Sequence, residues 1–334
     1  MFSRRGMLGV GLGLATAVRA QRAEGQRAEG QGAEEWPARN VTIIVPFAPG
    51  SSSDIIARAM AQQMQTALGR SVTVDNRPGA TGEIGARQVI RSAPDGYTLM
   101  HAPLSTWAIN VALRPNLAYD PVTQLTRITQ TVRTPNVLVV HPGAIPASDL
   151  PGVIAWLKAN AGKASYSTSG AGSSDHLTME MFKQATGTEQ AHVPFTGGGP
   201  ATTALLAGTV QLSFQNLGSI APQIRDGRVR PILVTSEARN PVLPEVPTAV
   251  ELGLQDFVVY SWQGFGGPPG MPPALLARVH GAAVAALRQP ESKSRLEELG
   301  FEVVANSPED FAAFQQREIA RWKRVVQAGG ITAD

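Results

Sequence analysis

The segment Pro46-Phe47-Ala48-Pro49-Gly50-Ser51-Ser52-Ser53-Asp54 sets three consecutive hydroxyls behind a Pro/Gly break and directly ahead of a run with helical periodicity. A strand ending at Phe47 and a helix starting near Ser52 would bring together free backbone N–H groups, the positive end of a helix dipole and hydroxyl donors. That is an anion site that needs no cationic side chain. The same residues suit an ordinary helix start, with Ser52 or Ser53 as cap and Asp54 complementing the dipole, and the segment alone leaves both readings open. A second segment of this kind is Tyr166-Ser167-Thr168-Ser169-Gly170-Ala171-Gly172-Ser173-Ser174-Asp175-His176, in which Ser169, Gly170, Ser173 and Ser174 are the candidate contacts. A third is Phe195-Thr196-Gly197-Gly198-Gly199-Pro200, with Phe195 and Thr196 as candidates. Each alone is explained as a plain turn. Three such strand-to-helix loops in one chain point to a shared polar cleft.

Signals for catalysis are few. The chain has no G-x-S-x-G elbow, no P-loop, no H-E-x-x-H and no G-x-G-x-x-G opening a helix after a strand. His176 and Glu180 stand at i, i+4 spacing, which suits two metal ligands on one helix face, but no third ligand is evident and a helix-surface or pocket-rim pair is the simpler reading. His101, His141 and His192 fall at strand edges, where local hydrogen bonds are expected of them, and Trp262 and Phe265 read as packing where the chain crosses between domains. The absence of cysteine removes thiol catalysis, thiolate metal sites and disulfides. No metal or cofactor is expected.

The elements that must hold these loops alternate between strand and helix. Val41–Phe47 is a β-branched run fit for a buried strand, Ile55–Leu68 has helical periodicity and stops at Gly69, and Val72–Val74 is a second strand. Tyr97–Met100, Asn136–Val140, Val210–Phe214 and Pro231–Thr235 read as further short strands, which makes the fold class α/β with helical crossovers. The 334 residues, 43% of them hydrophobic, exceed what one core usually covers, so two domains are expected. Pro and Gly are dense around Thr134-Pro135 and from Gly264 to Pro273, and both places read as crossings between domains. The first domain is then discontinuous, 36–134 and 259–334, around an inserted domain of 135–258.

A formal charge of +3 without any basic block makes nucleic acid an unlikely partner. Arg4-Arg5 followed by a short, weakly apolar run and Val18-Arg19-Ala20 reads as a twin-arginine export signal over 1–20. The QRAEG repeats over 21–35 read as a disordered tether. The expected location is the periplasm, with the signal removed.

The motifs Ile43-Ile44-Val45-Pro46-Phe47-Ala48-Pro49-Gly50, Asp54-Ile55-Ile56-Ala57-Arg58, Asp75-Asn76-Arg77-Pro78-Gly79-Ala80-Thr81-Gly82 and Ala93-Pro94-Asp95-Gly96-Tyr97 carry a resemblance that continues through Thr134-Pro135-Asn136-Val137, His192-Val193-Pro194-Phe195 and Leu243-Pro244-Glu245-Val246-Pro247-Thr248. In this order they resemble the extracytoplasmic solute receptors of tripartite tricarboxylate transporters, the Bug-type family, from about Trp36 to the C-terminus. The resemblance implies a type II periplasmic-binding-protein fold, two α/β domains joined by two crossover strands, with a ligand cleft between them. It also implies delivery of a small organic carboxylate to membrane transporter subunits, and a monomer is expected. The loop matching Phe47 to Asp54 would grip a carboxylate through backbone amides and water, and the loop matching Ser167 to Ser174 would close on it. A secreted enzyme acting on a carboxylate or ester, or the ligand-sensing partner of a signalling protein, are the alternatives.

The departures from the family pattern bear on the ligand. Gly50-Ser51 replaces a usual Gly-Gly, Thr196 a frequent lysine and Gln215 a frequent aspartate, and Ala102-Pro103-Leu104-Ser105-Thr106-Trp107 stands where a hydroxyl-rich run is usual. Leu104, Ser105 and Thr106 thus become candidate contacts. Apolar bulk from Pro103, Leu104 and Trp107 would favour a carboxylate with an aromatic or aliphatic body.

Overall fold

The computed structural model describes residues 36–332, so the export signal and the repeat tether lie outside the described residues. In chain order the elements are β1 (Val41–Val45), α1 (Ser52–Leu68), β2 (Val72–Asn76), α2 (Glu83–Ile90), β3 (Thr98–Pro103), a π-helical turn (Ser105–Ile109) running into α3 (Asn110–Leu113), and β4 (Thr126–Val140). They continue with α4 (Leu150–Ala159), β5 (Ser165–Thr168), α5 (Ser174–Thr186), β6 (Ala191–Pro194), α6 (Gly198–Leu206), β7 (Leu212–Asn216), α7 (Leu217–Arg225) and β8 (Arg230–Val234). The chain closes with β9 (Tyr260–Gly267), α8 (Pro273–Arg288), α9 (Pro290–Glu298), β10 (Glu302–Val303) and α10 (Pro308–Gly329).

The strands join in the order β2-β1-β3-β9-β4-β7-β5-β6, with β8 and β10 also paired to β4. Parallel pairing of β1 with β2 and β3, and of β5 with β6 and β7, requires the helical crossovers that the alternating pattern implies. Helices then cover both faces. Val41, Ile43 and Val45 of β1 enter one core cluster and Ile44 enters another, while in β4 Val137 and Val139 separate from Leu138 and Val140 in the same way. This is why these strands read as continuous apolar runs.

β4 holds the two-lobed fold together. Its 15 residues pair antiparallel with β9 and β10 along the first part and with β7 and β8 along the second. The second passage between lobes lies just before β9, where the Thr235 amide donates to the Asn136 carbonyl and the Val259 amide to the Thr235 carbonyl. The stretch from Gly264 was expected to be a crossing between domains. Gly264–Gly267 form the end of a strand inside the sheet, paired with both β3 and β4. Its glycines have a packing reason. A Cβ on Gly264 would lie 2.7 Å from the Trp107 indole nitrogen and 2.5 Å from Phe311, and one on Gly266 would lie 2.4 Å from Trp107. Gly264 and Gly266 lack side chains where the Trp107 indole takes up the space beside them.

No helix among the described residues is long and apolar enough to cross a membrane.

Candidate ligand-binding site

The β1–α1 loop is fastened by a single carboxylate. Asp54, 3% exposed, accepts from the Gly50 amide at 2.9 Å, from Asn76 Nδ2 at 3.0 Å and from Arg58 Nε at 3.0 Å. Asn76 also donates to the Phe47 carbonyl. Burial alone would raise the Asp54 pKa, but the hydrogen bonds from Arg58, Gly50 and Asn76 and the charge of Arg58 outweigh it and hold the group below its ordinary value. Ser51, in extended backbone, is the cap: its Oγ accepts from the Asp54 amide. Ser53 Oγ donates to Gln263 Oε1 of β9 at 2.7 Å, and its carbonyl accepts from His101 Nδ1 at 3.0 Å. The side chains of Ser51, Ser53 and Asp54 are therefore engaged in holding the loop. The amides of Ser52 and Ser53, the first two residues of a 17-residue helix, lie outside the intrahelical ladder at the positive end of the dipole; Ser52 is half-buried and Ser53 buried. Phe47 and Ser52 are half-buried, and Ala48, Pro49 and Gly50 are exposed.

The β5–α5 loop repeats the plan in the other lobe. Ser173 caps α5 through the His176 amide and donates to the Gly170 carbonyl, while Asp175 accepts from both the amide and the hydroxyl of Ser169. Ser174 Oγ accepts from Asn216. His176 Nδ1 accepts from the Gly172 amide, and its ring stacks on His192 with centroids 4.0 Å apart. His192 in turn shares a hydrogen bond with Thr168. Glu180 is tied to Tyr166 and Lys183, and His176 is buried, so of the helix-surface and pocket-rim readings of this pair the helix surface does not hold, and both residues belong to one packed cluster. Burial raises the pKa of Asp175, against the hydrogen bonds it receives, and no cation pairs with it among the described residues. Asp54 is neutralised by Arg58 at 3.0 Å. The first loop thus suits an anion better than the second.

The β5–α5 loop approaches α3, where a Cβ on Gly172 would lie 2.7 Å from Leu113; within the first lobe, a Cβ on Gly82 would lie 2.3 Å from Thr106 Oγ1 and 3.3 Å from the Phe47 ring. Phe195 is half-buried, with its carbonyl beside Gly170, and Thr196 is exposed.

The family described as "Tripartite tricarboxylate transporter family receptor" matches residues 56–331. The chain belongs to this family. The receptor is 34% identical over 301 residues to Protein BugT of Bordetella pertussis, an alignment covering 89% of this chain and 91% of BugT. Among solved structures it is similar to an R. palustris protein determined with adipate, at 33% identity, TM-score 0.84 and coverage of 89% of this chain and 99% of that one. It is also similar to the periplasmic binding protein BugD, at 32% identity, TM-score 0.81 and coverage of 89% and 99%. These neighbours share the two-lobed periplasmic-binding-protein fold expected from the sequence.

Two expected pocket walls of the receptor lie elsewhere. Trp107 is fully buried, donates from its indole to the carbonyls of Ala102 and Gly264, and packs edge-on against Phe311. Leu104, 2% exposed, belongs to the same core cluster. Trp107 turns inward where the glycines of β9 leave room for it, and Leu104 joins the same core, while Pro103 is half-buried. Ser105 and Thr106 are also buried. Sequence reasoning passed over Gln263 and expected no more than local hydrogen bonds of His101; with Asn76 they fix the first loop from β9, β3 and β2. Asn76 stood only within the Asp75–Gly82 motif, and the fold sets its amide across from Asp54.

Proposed function

We propose that the receptor captures a small organic carboxylate between its lobes, in the periplasm, and hands it to the membrane subunits of a tripartite tricarboxylate-type transporter without transforming it. The carboxylate sits on the Ser52 and Ser53 amides at the start of α1. The β5–α5 loop, through Ser169–Ser174, and the β6–α6 loop, through Phe195 and Thr196, cover it from the other lobe. The observation that carries this reading is the capped helix start of the first loop, whose first amides have no intrahelical partner and whose only acid is already paired with Arg58. The adipate named with one structural neighbour is a ligand of the same chemistry. The reading further divides the chain into an export signal over 1–20, a tether over 21–35, a discontinuous domain of 36–134 and 259–334 and an inserted domain of 135–258, acting as a monomer. A thermal-shift screen of organic acids on the mature protein tests it. A ligand at 100 times its dissociation constant adds about 2.7 kcal/mol of stability, and a panel of mono-, di- and tricarboxylates that leaves the melting temperature unmoved would refute the capture of a carboxylate.

A further inference from the structure

A groove of about 480 Å³ opens beside the strands that cross between the lobes, away from the proposed carboxylate seat. The first lobe lines it with Arg133 of β4, Trp262 of β9, Val304 just after β10 and Arg321 of α10. Glu237, which follows β8, and Val258, on the passage back to β9, line it from the second lobe. Its walls therefore belong to both lobes. Across the sheet, β3 and then β1, whose end carries the seat, lie on one side of the β9–β4 pair, and β10 lies on the other. The faces of β9 divide in the same way. Gln263 meets the Ser53 hydroxyl of the seat loop, whereas Trp262 turns to the groove, packs on Phe314 and donates to Glu318 of α10. The crossing strands thus stand between the seat and the groove.

That arrangement is a lever. β4 and the passage before β9 carry the chain between lobes and so form the pivot, and lobes that rock together over the seat must part on the far side of it. In the arrangement described, the β5–α5 loop approaches α3 while the groove stands open, as the lever requires. The first-lobe wall is fixed: Arg133 donates to both oxygens of Glu302, at 2.8 and 2.9 Å, and its guanidinium lies 4.3 Å over the Tyr260 ring. Across the groove the exposed Glu237 carboxylate has no ion pair among the described residues, and its amide donates to the Tyr260 hydroxyl at 3.3 Å. We infer that this groove sets the affinity of the receptor from behind the pivot: bulk placed in it holds the lobes in the arrangement that captures, and its collapse accompanies their opening. The inference rests on the carboxylate-receptor reading and concerns how tightly an acid is held, not which acid is chosen.

A single introduced thiol tests it, because the chain has no cysteine. Glu237→Cys puts that thiol on the exposed rim, where the fold tolerates it. The variant is modified with methanethiosulfonates carrying a methyl or a benzyl group and titrated calorimetrically with adipate and with benzoate. A competent arrangement populated at about 10% or less in the free protein divides the intrinsic affinity by that fraction, so wedging it is expected to tighten binding by up to about 10-fold or more. Affinity rises from the free thiol to the methyl to the benzyl adduct, equally for both acids, and small-angle scattering shows the unliganded benzyl adduct as compact as the acid-bound wild type. Val304→Trp, which fills the groove from the other wall, does the same, and the adduct series stands even if that variant fails to fold. Affinity that is independent of adduct size or falls with it overturns the lever, as does an altered preference between the two acids, which would put the groove in the seat. A wild-type protein that binds no acid of the thermal-shift panel overturns the receptor reading instead.

Discussion

Asp54 organises the loop proposed to seat the carboxylate. It gathers Gly50, Asn76 and Arg58 and so fixes the turn that leads into the Ser52 and Ser53 amides. Replacing Asp54 with alanine strands those donors, and chemical denaturation is expected to register a loss of about 1–3 kcal/mol together with weakened carboxylate binding. Unchanged stability would mean the loop holds without it. The helix start was legible in the sequence because its signals are local: a Pro/Gly break, a run of serines and an acid three residues past the cap. The direction of Trp107 was not. Its indole is held by a carbonyl 157 residues away, on a strand whose glycines make room for it.

Among the elements, β9 and the first half of β4 were the ones composition concealed. Gly264–Gly267 carries turn-like residues, yet it is a central strand, and Thr126–Arg133 mixes Thr, Gln and Arg in a buried segment. The polar groups are met there by partners distant in sequence, Thr129 by the Asn306 carbonyl and Thr131 by Gln263 and His101. Short runs of β-branched residues such as β1 were legible because burial on both faces writes itself into every position. A methyl group on Gly266 would meet Trp107 at 2.4 Å and the Thr126 carbonyl at 2.6 Å. Gly266→Ala is therefore expected to destabilise the protein by about 1–3 kcal/mol, whereas alanine at Gly281 of α8, whose surroundings are open, is neutral or stabilising. Equal melting temperatures for the two variants would contradict this account of the glycine strand.

For the whole molecule, two buried histidines couple the fold to acidity. Burial lowers the pKa of His101 from 6.5 to about 4, and burial followed by the neighbouring His192 does the same to His176. Burial favours the neutral ring of His101 and outweighs the Ser53 carbonyl, which accepts from Nδ1 and by itself would raise the pKa, while His176 Nδ1 must stay bare to accept from the Gly172 amide. The unfolded chain then binds more protons between those values. Stability is complete above about pH 6.5 and declines on acidification toward pH 4, by about 1.4 kcal/mol per pH unit for each histidine. Denaturant midpoints that stay level between pH 7 and pH 4.5 would refute it. His101 supports the first loop and His176 the second, so both lobes weaken together at the surfaces proposed to meet the ligand. The central claim concerns that meeting point and is most directly tested by titrating the tightest-binding carboxylate into the wild-type receptor and into Ser51→Asp. Aspartate also caps helices, so the variant keeps its fold while adding a negative charge at the proposed seat. Affinity is expected to fall by about 30-fold or more with the melting temperature nearly unchanged, and wild-type affinity in a folded Ser51→Asp protein would contradict the assignment of the carboxylate to the start of α1.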